Sequence, residues 1–234
     1  MSGQLRDADE DAATDRAIRA QRDILRVATE EFAANGYAGA RVDEIAARTR
    51  TTKRMIYYYF ASKESLYLAV LEQVYAQIRR VERGIQIDEL SPDEALRTIA
   101  EATYDHHTTH QAFIQLVSIE NIHRAEHLRR SATILRENVT AITLLEDVIK
   151  RGVADGIFRD DIDAVDVHMV ISAYACFHVA NRHTFAAIFD RDMLDPTLQD
   201  SHRRLIGDMV VATMTDRSAA DTGSRGASDG NRAG

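Results

Sequence analysis

Two prolines and eleven glycines in 234 residues leave this chain almost without turn residues. Between residues 15 and 215 the glycines reduce to Gly36, Gly39, Gly84, Gly152, Gly156 and Gly207. A meander of short strands needs such punctuation roughly every 8 to 12 residues, so the chain is expected to be all-α. Its apolar fraction of 45% suffices for a core and excludes disorder throughout. The single Cys176 excludes an internal disulfide framework; inside an apolar run it reads as core rather than nucleophile. The most apolar stretch, Val165 to Phe189, is interrupted by Asp166, His168, His178, Asn181, Arg182 and His183, short of the ~18 to 20 uninterrupted residues of a membrane helix. The acidic N-terminus is unlike a signal peptide. The expectation is a cytoplasmic protein with no membrane partner.

Residues 1–15 hold five acids against Arg6 and no apolar periodicity, and read as a disordered acidic arm; residues 216–234, rich in Gly, Ser, Ala and Asp, read as a disordered tail. Between them about nine helices are expected. Ile18, Leu25, Ala28 and Phe32 mark the first, from about Ala17, with Asn35-Gly36 as its stop. A second runs from about Val42 to Arg48, a third starts behind a Thr52 cap and ends near Tyr59, and Ser62 caps a long fourth. Ser91-Pro92-Asp93-Glu94 is a capping box with proline at the first helical position, opening the fifth. A sixth and seventh begin near Gln111 and Glu126, an eighth at Asp163 running to Phe189, and a ninth at Asp195-Pro196.

Two helices of about two turns each, propped by a longer one, are stable only together. Such a trihelical unit is a helix-turn-helix, whose second short helix enters a DNA major groove. The groove-facing candidates are Thr51, Thr52, Lys53, Arg54, Tyr57, Tyr58 and Tyr59. Residues 41–63 carry Arg41, Arg48, Arg50, Lys53, Arg54 and Lys63 against Asp43 and Glu44, a net +4. A solvated basic face would carry the same charge. The tyrosines argue further: successive helical residues turn by about 100°, so three in a row cannot all face a core.

Ala28-Thr29-Glu30-Glu31-Phe32, Gly36-Tyr37, Val42-Asp43-Glu44-Ile45-Ala46, Thr52-Lys53, Ile56-Tyr57-Tyr58-Tyr59-Phe60 and Ser62-Lys63-Glu64-Ser65-Leu66 together resemble the DNA-binding domain of the tetracycline-repressor (TetR) family of bacterial regulators. The resemblance implies that Thr52, Tyr57, Tyr59 and Lys63 grip phosphates while Lys53, Arg54 and Tyr58 lie where bases are read. Two positions depart from the family pattern. Arg41 stands where a Thr or Ser is usual and is expected to reach a phosphate; Arg50 stands where the tight turn usually has Gly. The resemblance further implies a DNA-binding domain over 16–62, an effector-binding and dimerisation domain over 63–215, and a repressor released from a palindromic double-stranded operator by a small molecule.

The eighth helix holds only Asp166 and Arg182 as formal charges, and with the ninth it is expected to form a homodimer interface. A two-fold dimer matches half-sites roughly 34 to 36 Å apart, or a multiple. An effector cavity is expected among Phe113, Ile134, Asn138, Tyr174, Phe177, His178 and Asn181. The alternative chemistry is a helical metal-binding protein or metalloenzyme, since His106/His110 and His123/His127 have i, i+4 spacing; no His-Glu-x-x-His or cysteine cluster supports it, and no metal or cofactor is expected. No nucleophile elbow or phosphate loop occurs, so no catalytic residues are assigned. The net charge of −8 divides by region: −4 over residues 1–15, +4 over 16–60 and −8 over 61–234. Only the head can face a duplex.

Overall fold

The computed structural model describes the backbone of residues 2–215, and the side chains of 14–137 and 142–215. Among the described residues there are ten α-helices and no strand: α1 (Ser2–Gly39), α2 (Val42–Arg48), α3 (Lys53–Phe60), α4 (Lys63–Arg83), α5 (Pro92–Thr109), α6 (Gln111–Ile122), α7 (Ala132–Ala154), α8 (Ala164–Ala180), α9 (Arg182–Phe189) and α10 (Pro196–Thr215), with one 3₁₀ turn at Leu128–Arg130. The all-helical expectation holds, with one helix more than expected because the eighth breaks in two. Asn181 (φ −105°, ψ 5°) leaves the helical region; its N–H closes α8 on the Phe177 carbonyl, and its carbonyl accepts from Phe185 to open α9. α1 starts at Ser2 rather than near Ala17, so the helix runs through residues 2–15, where a disordered arm is expected. The expected tail, residues 216–234, lies outside the described residues.

The start signals act as their chemistry requires. Thr52 accepts from the Met55 N–H at 3.2 Å, Ser62 from Ser65 at 3.0 Å and Asp163 from Asp166 at 2.9 Å. The Ser91 N–H donates to Glu94 Oε2 at 3.2 Å, completing the capping box in front of Pro92. Gly36 takes a positive φ of 68° and interrupts α1 at its expected stop. At the end of α7, a Cβ on Gly152 would stand 2.1 Å from Phe158, whose ring lies against the glycine.

The chain divides into two compact units. The first comprises the chain up to Ala76 together with Ala112–Ile134; the second comprises Gln77–Gln111 and the chain from Leu135 on. The division therefore falls inside α4 rather than at the expected border between residues 62 and 63. The reason is burial: Leu66, Tyr67, Val70 and Leu71 are wholly inaccessible to solvent, as are Phe32, Ile45 and Ile56. Tyr67 packs edge-on against Phe32, with ring centroids 4.8 Å apart. In the second unit α5 packs on both α8 and α10. Leu96, Ile99, Tyr104, Val148, Phe158, Ile171 and Ile206 share its core.

Candidate functional site

In the first unit, α2 and α3 are joined by a turn that fixes how α3 is presented. Arg50 sits in it at φ 52°, and the Thr51 N–H reaches back to the Ala46 carbonyl at 3.2 Å. This is the closing bond of a Schellman motif, with arginine in the left-handed position that glycine usually fills. The departure from the family's usual glycine is thus accommodated, at a cost of about 1 to 2 kcal/mol in backbone sterics. α3 is anchored by Ile56, which is fully buried. Its remaining surface carries Thr52, Lys53, Arg54, Tyr57 and Tyr58, all exposed, with Thr51 and Tyr59 half-buried. Of the three tyrosines Tyr58 is the most open, at 77%. The three tyrosines do not share a face.

The basic side chains differ in what already holds them. Lys53 Nζ lies 3.0 Å from Asp43 on α2, which raises the ammonium above its ordinary pKa. Arg48 pairs with Glu30. Arg54 makes no ion pair among the described residues and stands exposed on α3. Arg41 is exposed and its side chain does not cap α2; the buried Glu31 caps that helix, accepting from the Arg41 N–H at 3.0 Å. Lys63 is held differently from the cations of α3. Its ammonium is half-buried, donates to the Ala40 carbonyl at 2.6 Å and sits 5.1 Å from the centre of the Tyr37 ring. Burial pushes its pKa down. It ties the α1–α2 junction to the start of α4 first.

The segment before α7 buttresses this head through a group that the sequence analysis missed. Glu120 on α6, 2% exposed, accepts from the Tyr67 hydroxyl (3.1 Å), from the His127 and Leu128 N–H groups (3.2 and 2.9 Å) and from His127 Nδ1 (3.2 Å). The His127 ring in turn lies 4.3 Å from that of Tyr37. The corner between α6 and the 3₁₀ turn carries Arg124 and Ala125 both at positive φ, and Arg130 pairs with Glu64. One signal was available: Glu120 is the only formal charge in α6.

The effector candidates separate. Phe113 and Ile134 belong to the first unit, where both are buried and Phe113 packs on Tyr75 at 5.2 Å. Neither lines the cavity of the second unit. The Asn138 side chain lies outside the described residues, and Asn181 is taken up by the α8–α9 break. Tyr174, Phe177 and His178 do converge, lining a cavity of about 560 Å³ formed by α8, α9, α10 and the loop before α10.

Of the histidine pairs, His106 and His110 stack at 4.4 Å, with His106 buried and His110 exposed. His123 and His127 do not share a helix face, because α6 ends at Ile122. Among the described residues no group of three or more His, Cys, Asp or Glu side chains could hold a metal ion. Cys176 is half-buried, and burial lifts its thiol to about 11, which disfavours the thiolate a nucleophile needs.

Residues 24–70 match the family described as bacterial regulatory proteins, tetR family, and residues 92–210 match the tetracyclin repressor-like C-terminal domain. The second match alone spans half of the chain. The chain belongs to the tetracycline-repressor family. It is 32% identical to the HTH-type transcriptional repressor NicS of Pseudomonas putida over 195 residues, covering 83% of this chain and 92% of that protein. It is 28% identical to the HTH-type transcriptional repressor SCO4008 of Streptomyces coelicolor over 65% of this chain and 74% of that one. Among solved structures, the putative transcriptional regulator SCO4942 of Streptomyces coelicolor superimposes with a TM-score of 0.63 at 27% identity, over 83% of this chain and 98% of that one. As a TetR-family member the chain is a DNA-binding transcriptional regulator, with a helix-turn-helix head and a helical regulatory domain. No helix among the described residues is long and apolar enough to cross a membrane.

Proposed function

We propose that this regulator represses transcription as a two-fold dimer, reading a palindromic operator with Arg54, Lys53 and Tyr58 of α3 and leaving it when a small molecule occupies the second unit. The observation that carries the reading is the composition of the α3 surface. An unpaired guanidinium, an exposed tyrosine and a threonine-capped helix start stand on a helix pinned by one buried isoleucine. Guanidinium groups bind guanine edges bidentately, and helix starts bind phosphate. Thr51, Thr52, Tyr57, Tyr59 and Arg41 flank that centre and take phosphates. Lys63 contributes by fixing the α1–α2 junction, with its remaining N–H free for a phosphate.

The dimer surface is inferred from apolar side chains with nothing over them. Val165, Met169 and Phe177 follow one line of α8, and Leu205 and Met209 one line of α10, all between 41% and 61% exposed. The opposite face of α8 is core, through Val167 and Ile171, as is the adjoining face of α10, through Ile206 and Val210. Contiguous apolar surface of this kind marks an interaction site, and a second copy supplies the same surface by symmetry. A cytoplasmic location follows from the regulatory role. The test is a gel shift with the DNA upstream of this protein's own gene against a scrambled duplex. Preferential retention of the upstream DNA by a dimer supports the reading, and equal retention of both overturns it.

A further inference from the structure

Where α4 ends, the chain runs on beside α7 and leaves a cleft of about 540 Å³, all of it within the second unit. No residue of α8 or α10 lines it, so it lies off the exposed apolar lines of those helices. Its volume is that of a small-molecule site, about 300 to 1,000 Å³. Ile85, Ile87 and Leu144 supply an apolar wall, and five formal charges share the space: Glu82, Asp88 and Asp147 against Arg83 and Arg151. None of the five pairs with another of the five; the one ion pair any of them makes among the described residues is that of Glu82 with Arg79.

The charges stay apart for local reasons. Asp147 and Arg151 are four residues apart on α7, a spacing at which opposite charges usually meet. Arg151 turns instead to the loop, donating to the Leu90 and Ile87 carbonyls at 3.4 and 3.3 Å, and Asp147 is left exposed without a partner. Arg83 donates from Nε to the Arg79 carbonyl at 3.2 Å, and its two terminal nitrogens have no partner among the described residues. Glu82 is 7% exposed: Oε2 holds Arg79 at 2.6 Å, while Oε1 has no hydrogen-bond partner among the described residues and keeps contact with solvent. Burial pushes this carboxyl up to about 7 against the pull of Arg79 and Arg83, so a cation placed on Oε1 favours its charged form.

Carboxylates and a guanidinium that share a cleft without meeting leave room between them for a ligand carrying both charges. We infer that this cleft binds a small zwitterion of the amino-acid type, its ammonium on Glu82 Oε1 and Asp147, its carboxylate on the terminal nitrogens of Arg83, and an aliphatic side chain against Ile85, Ile87 and Leu144. A simple anion meets three carboxylates there, and a simple cation meets two guanidiniums.

The test uses L-leucine and two ligands that each lack one of its charges: 3-methylbutylamine, without the carboxylate, and 4-methylpentanoate, without the ammonium. In equilibrium dialysis at neutral pH, full-length protein is expected to bind one leucine per chain and each of the other two at least about tenfold more weakly. Arg83→Gln should weaken leucine roughly tenfold and leave 3-methylbutylamine within about twofold. Asp147→Asn should weaken leucine and 3-methylbutylamine and leave 4-methylpentanoate within about twofold. Both residues are exposed and make no ion pair among the described residues, so the circular dichroism and denaturation midpoint should stay at wild-type values. The inference is overturned if leucine does not bind, if it binds no tighter than the ligands with one charge, or if the two variants act on all three ligands alike or on none. Dialysis is done without DNA, so an absent operator preference beside intact leucine binding defeats only the proposed function, and the converse defeats only this inference.

Discussion

The two units hold their polar groups in opposite ways. On α3 the candidate side chains stand in solvent, with Thr52 capping the helix start and Lys53 held by the exposed Asp43. In the second unit the polar groups are inside: Arg79, Glu82, His106, His107 and His178 are all buried, with Arg79 and Glu82 paired at 2.6 Å. A surface that meets a polyanion keeps its charges hydrated and ready. The seam in this contrast is Glu120, a buried acceptor on the head side.

The largest expected effect is at that seam. Glu120→Ala leaves the Tyr67 hydroxyl and two backbone N–H groups unmet in a buried place, and should cost about 3 to 5 kcal/mol in urea denaturation. Glu120→Gln keeps an acceptor oxygen and should cost clearly less. Equal midpoints for Glu120→Ala and wild type would show that the buttress carries no stability.

Next is acid. Burial, with Arg79 close by, holds His106 at about 4 and His107 at about 3, below the ordinary imidazole value of 6.5. Both are neutral in the native protein and charge on unfolding, so their contribution is present above pH 6.5 and is lost as pH falls toward 4 and then 3. Glu82, pushed up to about 7 by burial, works the other way: it gains stability from its proton as pH falls from 7 to 4.5. Also around the two histidines, His110 and His168 disfavour the charge on His107. Two imidazoles outweigh one carboxyl, so the thermal midpoint should fall between pH 6.5 and 4, and His107→Asn should flatten that fall. A midpoint that rises on acidification contradicts the assignment.

Smaller effects separate the head from the body. Arg50→Gly relieves the left-handed turn and should raise stability by about 0.5 to 1 kcal/mol, with a slightly shallower salt dependence of DNA binding. Asp43→Asn should leave the denaturation midpoint unmoved, because the pair it breaks with Lys53 is exposed, yet strengthen binding to random DNA by freeing an ammonium. A measurable loss of stability there would mean that the head's charges are structural after all.

The head was legible because its determinants are local. Thr52 caps three residues ahead, Ser62 likewise, and the run of three tyrosines declares by spacing alone that one must face outward. The Schellman bond closed by Thr51 was hidden because arginine occupies the glycine position. The cavity was only half legible. Tyr174, Phe177 and His178 share α8, but Arg191, Met193 and His202 arrive from a loop and another helix, and no periodicity links them. Phe113 and Ile134 have the composition of a pocket wall and the burial of a core, and only packing distinguishes the two. The α8–α9 break is marked by four polar residues, Asn181-Arg182-His183-Thr184, and was missed because apolar residues resume at Phe185 and no Gly or Pro punctuates the change.

The central claim is that Arg54, the exposed and unpaired cation of α3, reads bases while the acidic body contributes nothing to DNA contact. Fluorescence anisotropy at fixed salt, comparing the upstream duplex with a scrambled one for wild type and Arg54→Ala, tests it directly. The account predicts a wild-type preference that shrinks by about 1 to 3 kcal/mol in the variant, with binding to the scrambled duplex nearly unchanged. An equal weakening on both duplexes, or an undiminished preference, would contradict it.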